Sequence, residues 1–250
     1  MRDAVSTRNH LLRALTRQEQ ELLEPDFETV KLGYKSSLHE PTEHTPWVHF
    51  PESGVLSLLT VLNDGTSVEL GHVGNEGMVD ISVFLGVIAS ESRTIVQVPG
   101  SARRMPAARF REHLDAMPAM RHLIGAYVLE FFTMVAQTTA CNRRHRLDQR
   151  FARWILMTHD RVGRAWFPIT HEFLGDMLGA PRPKVSLVAS RYQDNGLIRY
   201  ERGTMAILDV PGVQARTCEC YALIRNRFLR FEARPMSDFE SHRPRLRLER

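Results

Sequence analysis

Apolar residues change their spacing three times along the chain. Over residues 8–24, Leu11, Leu12, Leu15, Leu22 and Leu23 fall at helical intervals and predict a short helical entry. From Phe27 to about Val98 the pattern becomes short alternating runs. The run Val55-Leu56-Ser57-Leu58-Leu59-Thr60-Val61 ends at Asn63-Asp64-Gly65, and Val68-Glu69-Leu70 follows. Aspartate-glycine between two apolar runs predicts a hairpin. Next comes the glycine-rich stretch GHVGNEGM (71–78). Several short strands with glycine punctuation predict a small antiparallel roll or barrel.

At Pro106 the period becomes helical. Residues 107–116 read as a short helix. From about Pro118 a longer one carries Leu123, Ile124, Tyr127, Val128, Phe131, Phe132 and Val135. Ile124, Val128, Phe131 and Val135 alternate steps of four and three, the spacing of a seam between paired helices, and are the expected dimer interface. A buried core helix would show the same pattern. The segment RRHRLDQRFARWIL (143–156) reads as a basic amphipathic helix whose arginines suit a phosphate backbone, and Gly163 begins the next linker.

The last section is the most regular. Thr170 is a plausible N-cap for HEFLGDMLG, in which Phe173, Leu174, Met177 and Leu178 form one buried face. Gly179 makes a turn into GAPRPKVSLVASRYQDNGLI (179–198). Pro181 and Pro183 suit a first helical turn, where backbone N–H groups lack partners anyway. Val185, Val188, Ala189 and Tyr192 then recur as a buried stripe, and Gly196 stands where the helix should end. Arg182, Ser186 and Ser190 line the opposite side. Leu197-Ile198-Arg199-Tyr200, Gly203 and Met205-Ala206-Ile207-Leu208 read as a hairpin. Helix, glycine turn, helix and hairpin make a winged helix-turn-helix, whose second helix (about 181–195) would enter a DNA major groove.

Charge sharpens this reading. The first 140 residues hold 12 basic and 17 acidic side chains, whereas the remainder holds 21 and 12. Such an asymmetry points to nucleic acid as the partner of the C-terminal part. Apolar content of 43% and charged content of 25% are those of a soluble globular chain. No apolar run approaches the roughly 20 residues of a membrane span, and a cytoplasmic location is expected. Cys141, Cys218 and Cys220 form no disulfide framework.

The stretch ITHEFLGDMLGAPRPKVSLVASRYQDNGLI resembles the DNA-binding end of bacterial Crp/Fnr-type regulators. The matching residues are Ile169, Thr170, Gly175, Gly179, Arg182, Leu197 and Ile198. The roll and long helix match that family's effector domain and dimer helix, so the resemblance runs from about residue 10 to 210. PGVQARTCECYALIRNRFLRF is appended beyond the usual end. The resemblance implies that Arg182 reads guanine, a bidentate contact worth roughly 1–3 kcal/mol of discrimination. It places Thr170 and Lys184 at phosphates. Pro183 stands where the family has an acidic residue and Leu187 where it has a polar or basic one, so the family's best-known operator is not expected. His171, Ser186, Ser190, Arg199 and Arg202 complete the expected DNA-contacting set.

For the effector side, cyclic-nucleotide-binding relatives use a Gly-Glu pair for ribose and an Arg-Ser/Thr pair for phosphate. The local candidates are Gly71, Glu76, Gly77, Asp80, Ser90, Arg93 and Thr94. Ser90-Glu91 falls where the phosphate arginine belongs, so no cyclic nucleotide is expected. An iron–sulfur cluster is not expected either, since no cysteine precedes Cys141. Cys218 and Cys220, with one residue between them on a helix, should point apart as free thiols, so no metal is expected. His39, His44, His49 and His72 are expected at the surface. No catalytic fingerprint occurs, and an enzyme is not expected.

The expected architecture is α+β: an antiparallel, cupin-like or cyclic-nucleotide-binding-like β-roll (8–118), a dimerisation helix (119–146), a winged helix-turn-helix with an extra helix (147–231), and a basic tail without regular structure (232–250). The expected partners are a double-stranded DNA operator, a second copy of the chain, and RNA polymerase if the protein is an activator. A ligand-sensing or interaction module with a vestigial helix-turn-helix remains the alternative.

Overall fold

The computed structural model describes residues 7–87, 89–234 and 237. Two short helices, α1 (His10–Ala14) and α2 (Arg17–Leu23), open the chain. Asn9 caps α1, and its buried amide also donates to the carbonyls of Pro51 and Gly77, which fastens the entry to the roll. The strands β1 (Glu28–Leu32), β2 (Ser37–His39), β3 (Trp47–Val61), β4 (Ser67–Val73) and, after the one-turn helix α3 (Ile81–Phe84), β5 (Arg93–Pro106) form one antiparallel sheet. Its order is β1-β5-β3-β4, with β2 on β5. The expected hairpin joins β3 to β4 through Asp64-Gly65. The register between the long strands β3 and β5 shifts between Pro51 and Leu56. Bulges of this kind increase local twist and let a sheet coil over a core. Phe50, Val55, Leu56, Val96, Val98 and Met105 fill that core.

Helices α4 (Ala107–Ala116) and α5 (Pro118–Arg144) follow, as the change of period requires. The long α5 lies against the roll with Leu123, Ile124, Tyr127, Phe131 and Met134 buried. Tyr127 donates its hydroxyl hydrogen to the Met78 carbonyl at 2.8 Å. This orientation corrects the expected dimer seam. Ile124 and Phe131 are 1% and 6% exposed and face the roll, so a partner helix does not reach them, whereas Val128 and Val135 are half-buried. The exposed large apolar side chains of α5 are Leu129 and Phe132. Contrary to the composition argument, α5 is long and apolar enough to cross a membrane by length and composition alone, although 39% of its apolar window is buried inside this fold.

The chain breaks at His145-Arg146 and restarts as α6 (Leu147–Val162), so Arg143 and Arg144 end one helix rather than beginning the next. Beyond it lie β6 (Trp166–Pro168), α7 (His171–Leu178), α8 (Arg182–Asp194), β7 (Ile198–Glu201), β8 (Thr204–Ile207), α9 (Val210–Gln214) and α10 (Glu219–Glu232). Strands β6, β8 and β7 form a second antiparallel sheet in that order. The appended α10 packs mainly on α5 and α6. Arg227 pairs with the buried Glu130, and Glu232 reaches back to His10. The tail expected at 232–250 falls, beyond Arg234 and apart from Ser237, outside the described residues.

The roll histidines do not behave as surface residues. His39, His49 and His72 are buried; only His44 is exposed. Asp80, itself 3% exposed, is flanked by His39 Nε2 at 2.9 Å and His49 Nδ1 at 2.8 Å. Burial alone would raise the Asp80 pKa, but the hydrogen bonds from both imidazoles hold it below the usual carboxylate range. Burial alone would lower that of His39; the bond to Asp80 and its charge outweigh this and raise it. The depressed Asp80 stabilises the fold above its unfolded pKa and loses this as pH falls. The raised His39 stabilises it below its own unfolded pKa and loses this as pH rises through the folded value. The pair therefore contributes most between about pH 4 and 6.5.

Asp80 has φ +67°, which asparagine tolerates equally. Asp80→Asn should therefore act through charge, costing about 3–5 kcal/mol near pH 6 and less at alkaline pH. Denaturant melts of both proteins across pH 4–9 check this; a constant difference across the range would contradict the ion pair.

Candidate nucleic-acid interface

Helix α7 begins at Thr170, whose hydroxyl accepts the Phe173 N–H at 3.2 Å. It ends at Gly179, with φ +55° in the left-handed region. The turn into α8 is tight: a Cβ on Gly175 would lie 2.8 Å from the Ala180 carbonyl oxygen. Helix α8 starts immediately after Pro181, with Pro183 in its first turn. Val185, Val188, Ala189 and Tyr192 are buried as the spacing requires. Tyr192 packs edge-on against Phe151 and donates to the Asp148 carbonyl at 2.9 Å, which ties α8 to α6. The wing turns through Arg202-Gly203 at φ +47° and +76°, the left-handed pair demanded by a two-residue hairpin loop.

The outward side of this unit carries Arg182, Pro183, Lys184, Leu187, Ser190, Arg199 and Arg202, all exposed. None of their cationic groups has a carboxylate partner among the described residues. Leu187 is 54% exposed in the middle of α8, an apolar side chain with no protein surface to cover. Other members of the expected set are engaged within the protein. The Thr170 hydroxyl is the helix cap. His171 Nδ1 lies 2.9 Å from Ser186 Oγ, and its ring stacks on Tyr200 with centroids 4.1 Å apart. Burial and the charge of Arg182 lower the pKa of His171, favouring its neutral form. Ser190 Oγ reaches Asp194 at 3.5 Å.

The basic segment 143–156 exposes only Arg143, Arg144 and Arg146 among its arginines. Arg153 is 4% exposed, and half-buried Arg150 donates to the Leu178 carbonyl at 2.9 Å. Helix α6 turns this side inward because its other contacts dock it on the roll. Trp154 Nε1–H donates to Glu69 Oε2 at 2.8 Å, Gln97 donates to Thr158 Oγ1 at 2.8 Å, and Arg161 pairs with Glu76 at 2.7 Å. Sequence spacing showed none of these cross-domain pairs.

The expected effector residues are not brought together as one pocket. Gly71 and Gly77 lie under α5, where an added Cβ would fall 2.6 Å from Met134 and 2.3 Å from the Tyr127 ring. Glu76 is held by Arg161, Asp80 by two histidines, Arg93 by Glu40 at 2.6 Å, and Thr94 by His39 at 3.0 Å. Ser90 Oγ lies 3.0 Å from Ser92 Oγ. A cavity of about 240 Å³ does open beside Glu76, between the roll, α6 and α10, lined by His10, Arg161, Phe228 and Glu232 among others.

The cysteines also depart from expectation. Cys218 precedes α10 with extended backbone (φ −85°, ψ 169°), and Cys220 sits in its first turn. The two side chains therefore converge instead of diverging, and they meet Cys141 and His145. The i, i+4 spacing of Cys141 and His145 was a signal available in the sequence.

Residues 149–216 match the Crp-like helix-turn-helix domain family. No curated protein matches the chain. Among solved structures, a transcriptional regulator of the Crp/Fnr family from Eubacterium rectale aligns with TM-score 0.66 and 19% identity, over 82% of this chain and 96% of that one. FixK2 from Bradyrhizobium japonicum aligns with TM-score 0.67 and 11% identity, over 77% and 98%. The c-di-GMP-responsive regulator CLP from Xanthomonas campestris aligns with TM-score 0.63 and 14% identity, over 77% and 99%. The chain thus carries a Crp-like helix-turn-helix on the α+β fold of β-roll regulators. Residues 149–216 are a DNA-binding domain of the Crp-like helix-turn-helix type, and the fold of the chain is that of these solved structures.

Gly175→Ala should displace the α7–α8 turn, because the clash is with backbone rather than a movable side chain. A stability loss of about 1–3 kcal/mol in denaturant melts is expected, with DNA affinity lowered as well. Unchanged stability would show that the turn has room.

Proposed function

We propose that this protein is a DNA-binding transcription regulator of the Crp/Fnr type that acts in the cytoplasm as a homodimer without catalytic activity, and binds a pseudo-palindromic operator with half-sites about one helical turn apart. The observation that carries the reading is the outward face of α8, where Arg182, Lys184 and Leu187 stand exposed at the start of a helix otherwise buried on α6 and α7. Pro181 and Pro183 restrict the first turn, so that Arg182 projects from a stiff backbone toward a base. Leu187 suits a thymine methyl group. Lys184, Arg199 and Arg202 serve the phosphates, fixing register without reading sequence. A signal received at the roll would reach this head through the contacts of α6. Free cyclic nucleotide is not part of this reading, since a phosphate at Arg93 would have to displace Glu40. An RNA polymerase contact belongs to it only if the protein activates transcription.

Base reading and phosphate contact are separable. After in-vitro selection of the operator, Arg182→Ala should lose about 1–3 kcal/mol on the selected site and far less on scrambled duplex. Lys184→Ala should weaken both duplexes alike and lower the salt slope by about one counterion per subunit. Equal losses on both duplexes for Arg182→Ala would make it a phosphate contact. Absence of salt-dependent binding to any duplex would favour an interaction module instead.

For assembly, Leu129 and Phe132 are the large apolar side chains that α5 exposes. Phe132, 66% exposed, costs the protomer little when altered but would lie in an α5–α5 seam. Phe132→Glu should shift the protein from dimer to monomer in light scattering, with the helical signal retained and operator binding lost. Wild type that is monomeric at micromolar concentration yet bound to operator would count against the dimer.

A further inference from the structure

Three cysteines and a histidine from three separate parts of the chain meet where α5 ends. Cys141 and His145 come from the last turn of α5, Cys218 from the residue before α10, and Cys220 from its first turn. Cys141 Sγ lies 3.6 Å from Cys218 Sγ, and Cys220 Sγ lies 3.6 Å from His145 Nδ1. All four potential ligand atoms fall within 4.8 Å of one another, and all three thiols are buried. A tetrahedral zinc ion with its ordinary bond lengths sets ligand sulfurs about 3.8 Å apart and a sulfur and nitrogen about 3.6 Å apart. The spacing is that of ligands around a single ion, whereas iron–sulfur clusters distribute their cysteines over separate irons.

The surroundings are those of a metal site rather than of idle thiols. With Nδ1 aimed at the cluster, the other imidazole nitrogen of His145 lies 3.3 Å from Glu219 Oε2. A carboxylate in that position fixes the ring and its tautomer, as it does behind most metal-bound histidines. The Gln137 amide donates to Cys220 Sγ at 3.0 Å, a bond that supports a thiolate. Three thiolates and a neutral histidine around a divalent ion leave one net negative charge. Arg153 supplies the compensating cation. It is 4% exposed, donates to Thr138 Oγ1 one turn before Cys141 at 3.2 Å, has no carboxylate partner among the described residues, and leaves its Nε without a hydrogen bond.

We propose that Cys141, His145, Cys218 and Cys220 bind one zinc-class divalent cation in a closed, four-ligand structural site. Soft thiolates and imidazole in tetrahedral array select zinc over hard cations. No coordination position is left for substrate, so the ion acts as a staple. It joins the start of α10 to the end of α5, beside the break at which the chain turns into α6. The inference rests on these residues alone and stands whether or not the proposed operator reading holds.

The intact protein, made in zinc-supplemented medium without a histidine tag and purified anaerobically without chelator, should contain about one zinc per chain. Anaerobic replacement by Co(II) should give the visible ligand-field bands of a tetrahedral site and a near-ultraviolet thiolate-to-cobalt band. Chelation should lower the wild-type Tm, because an ion bound only to the native state stabilises it. In Cys220→Ser and His145→Ala the cobalt spectrum should weaken or vanish while far-ultraviolet circular dichroism remains that of a helical protein. If the variants fail to fold, the wild-type metal content and cobalt spectrum still decide. Wild type that holds only trace metal, gives no thiolate-to-cobalt band on reconstitution, and shows three freely alkylated thiols or a Cys141–Cys218 disulfide would overturn the proposal. Full metal content in Cys220→Ser would do the same.

Discussion

A buried carboxylate decides how the two halves of this protein meet. Glu69 in β4 is 5% exposed, and a carboxylate so far from water is tolerable only when hydrogen-bonded. Beside His72 Nδ1, which lies 3.3 Å away in the same strand, the Trp154 indole donates to it at 2.8 Å and comes from the other half of the chain. Helix α6 must therefore lie on the roll for the roll itself to be electrostatically satisfied. The same docking sets Thr158 on Gln97 and Arg161 on Glu76, and because Tyr192 hangs from α6, it also places α8. The network is incomplete, since Glu69 Oε1 and His72 Nε2 have no hydrogen-bond partner. The seam between the roll and the helix-turn-helix unit is fixed in register by specific polar pairs.

Helix α5 is the second organiser, and it divides its faces. One side closes the roll through Tyr127, Phe131 and Met134; the other offers Leu129 and Phe132 outward. Its last turn supplies Cys141 and His145 to the cluster under α10. Roll, outward face and appended helix are therefore mechanically connected through one rod. Helix α10 strengthens the connection, since it touches α5 through Arg227 and Glu130, α6 through Tyr221 and Asp160, and α1 through Glu232 and His10. An element that looked like an afterthought of the reading domain is a brace across the whole molecule.

Much of this was legible beforehand wherever one element's own pattern carried the information. The stripe Val185, Val188, Ala189 and Tyr192, the Thr170 cap, the glycine ends of α7 and α8, and the Asp64-Gly65 hairpin all depend on neighbours a few residues away. Periodicity could not tell which of several apolar faces turns inward. Ile124 and Phe131 fitted a seam as well as Leu129 and Phe132 do, and only the docking of α5 on the roll, where Phe131 and Tyr127 lie against Gly71 and Gly77, separates the two sets. The arginines of 143–156 misled for a related reason: local charge cannot reveal that Arg153 lies buried beneath α5.

The sequence by itself determined the order of elements, the helix-turn-helix and the outward placing of Arg182 on its second helix, because backbone preference and side-chain spacing act over one or two turns. Tertiary structure alone decided which partner each buried charge received and where distant ligands met. Asp80 lies 41 and 31 positions from its two histidines, and Cys141 lies 77 positions from Cys218. Pairings at that separation leave no periodic trace, since they arise from the path of the folded chain, which the burial of apolar faces and the pairing of strands settle together.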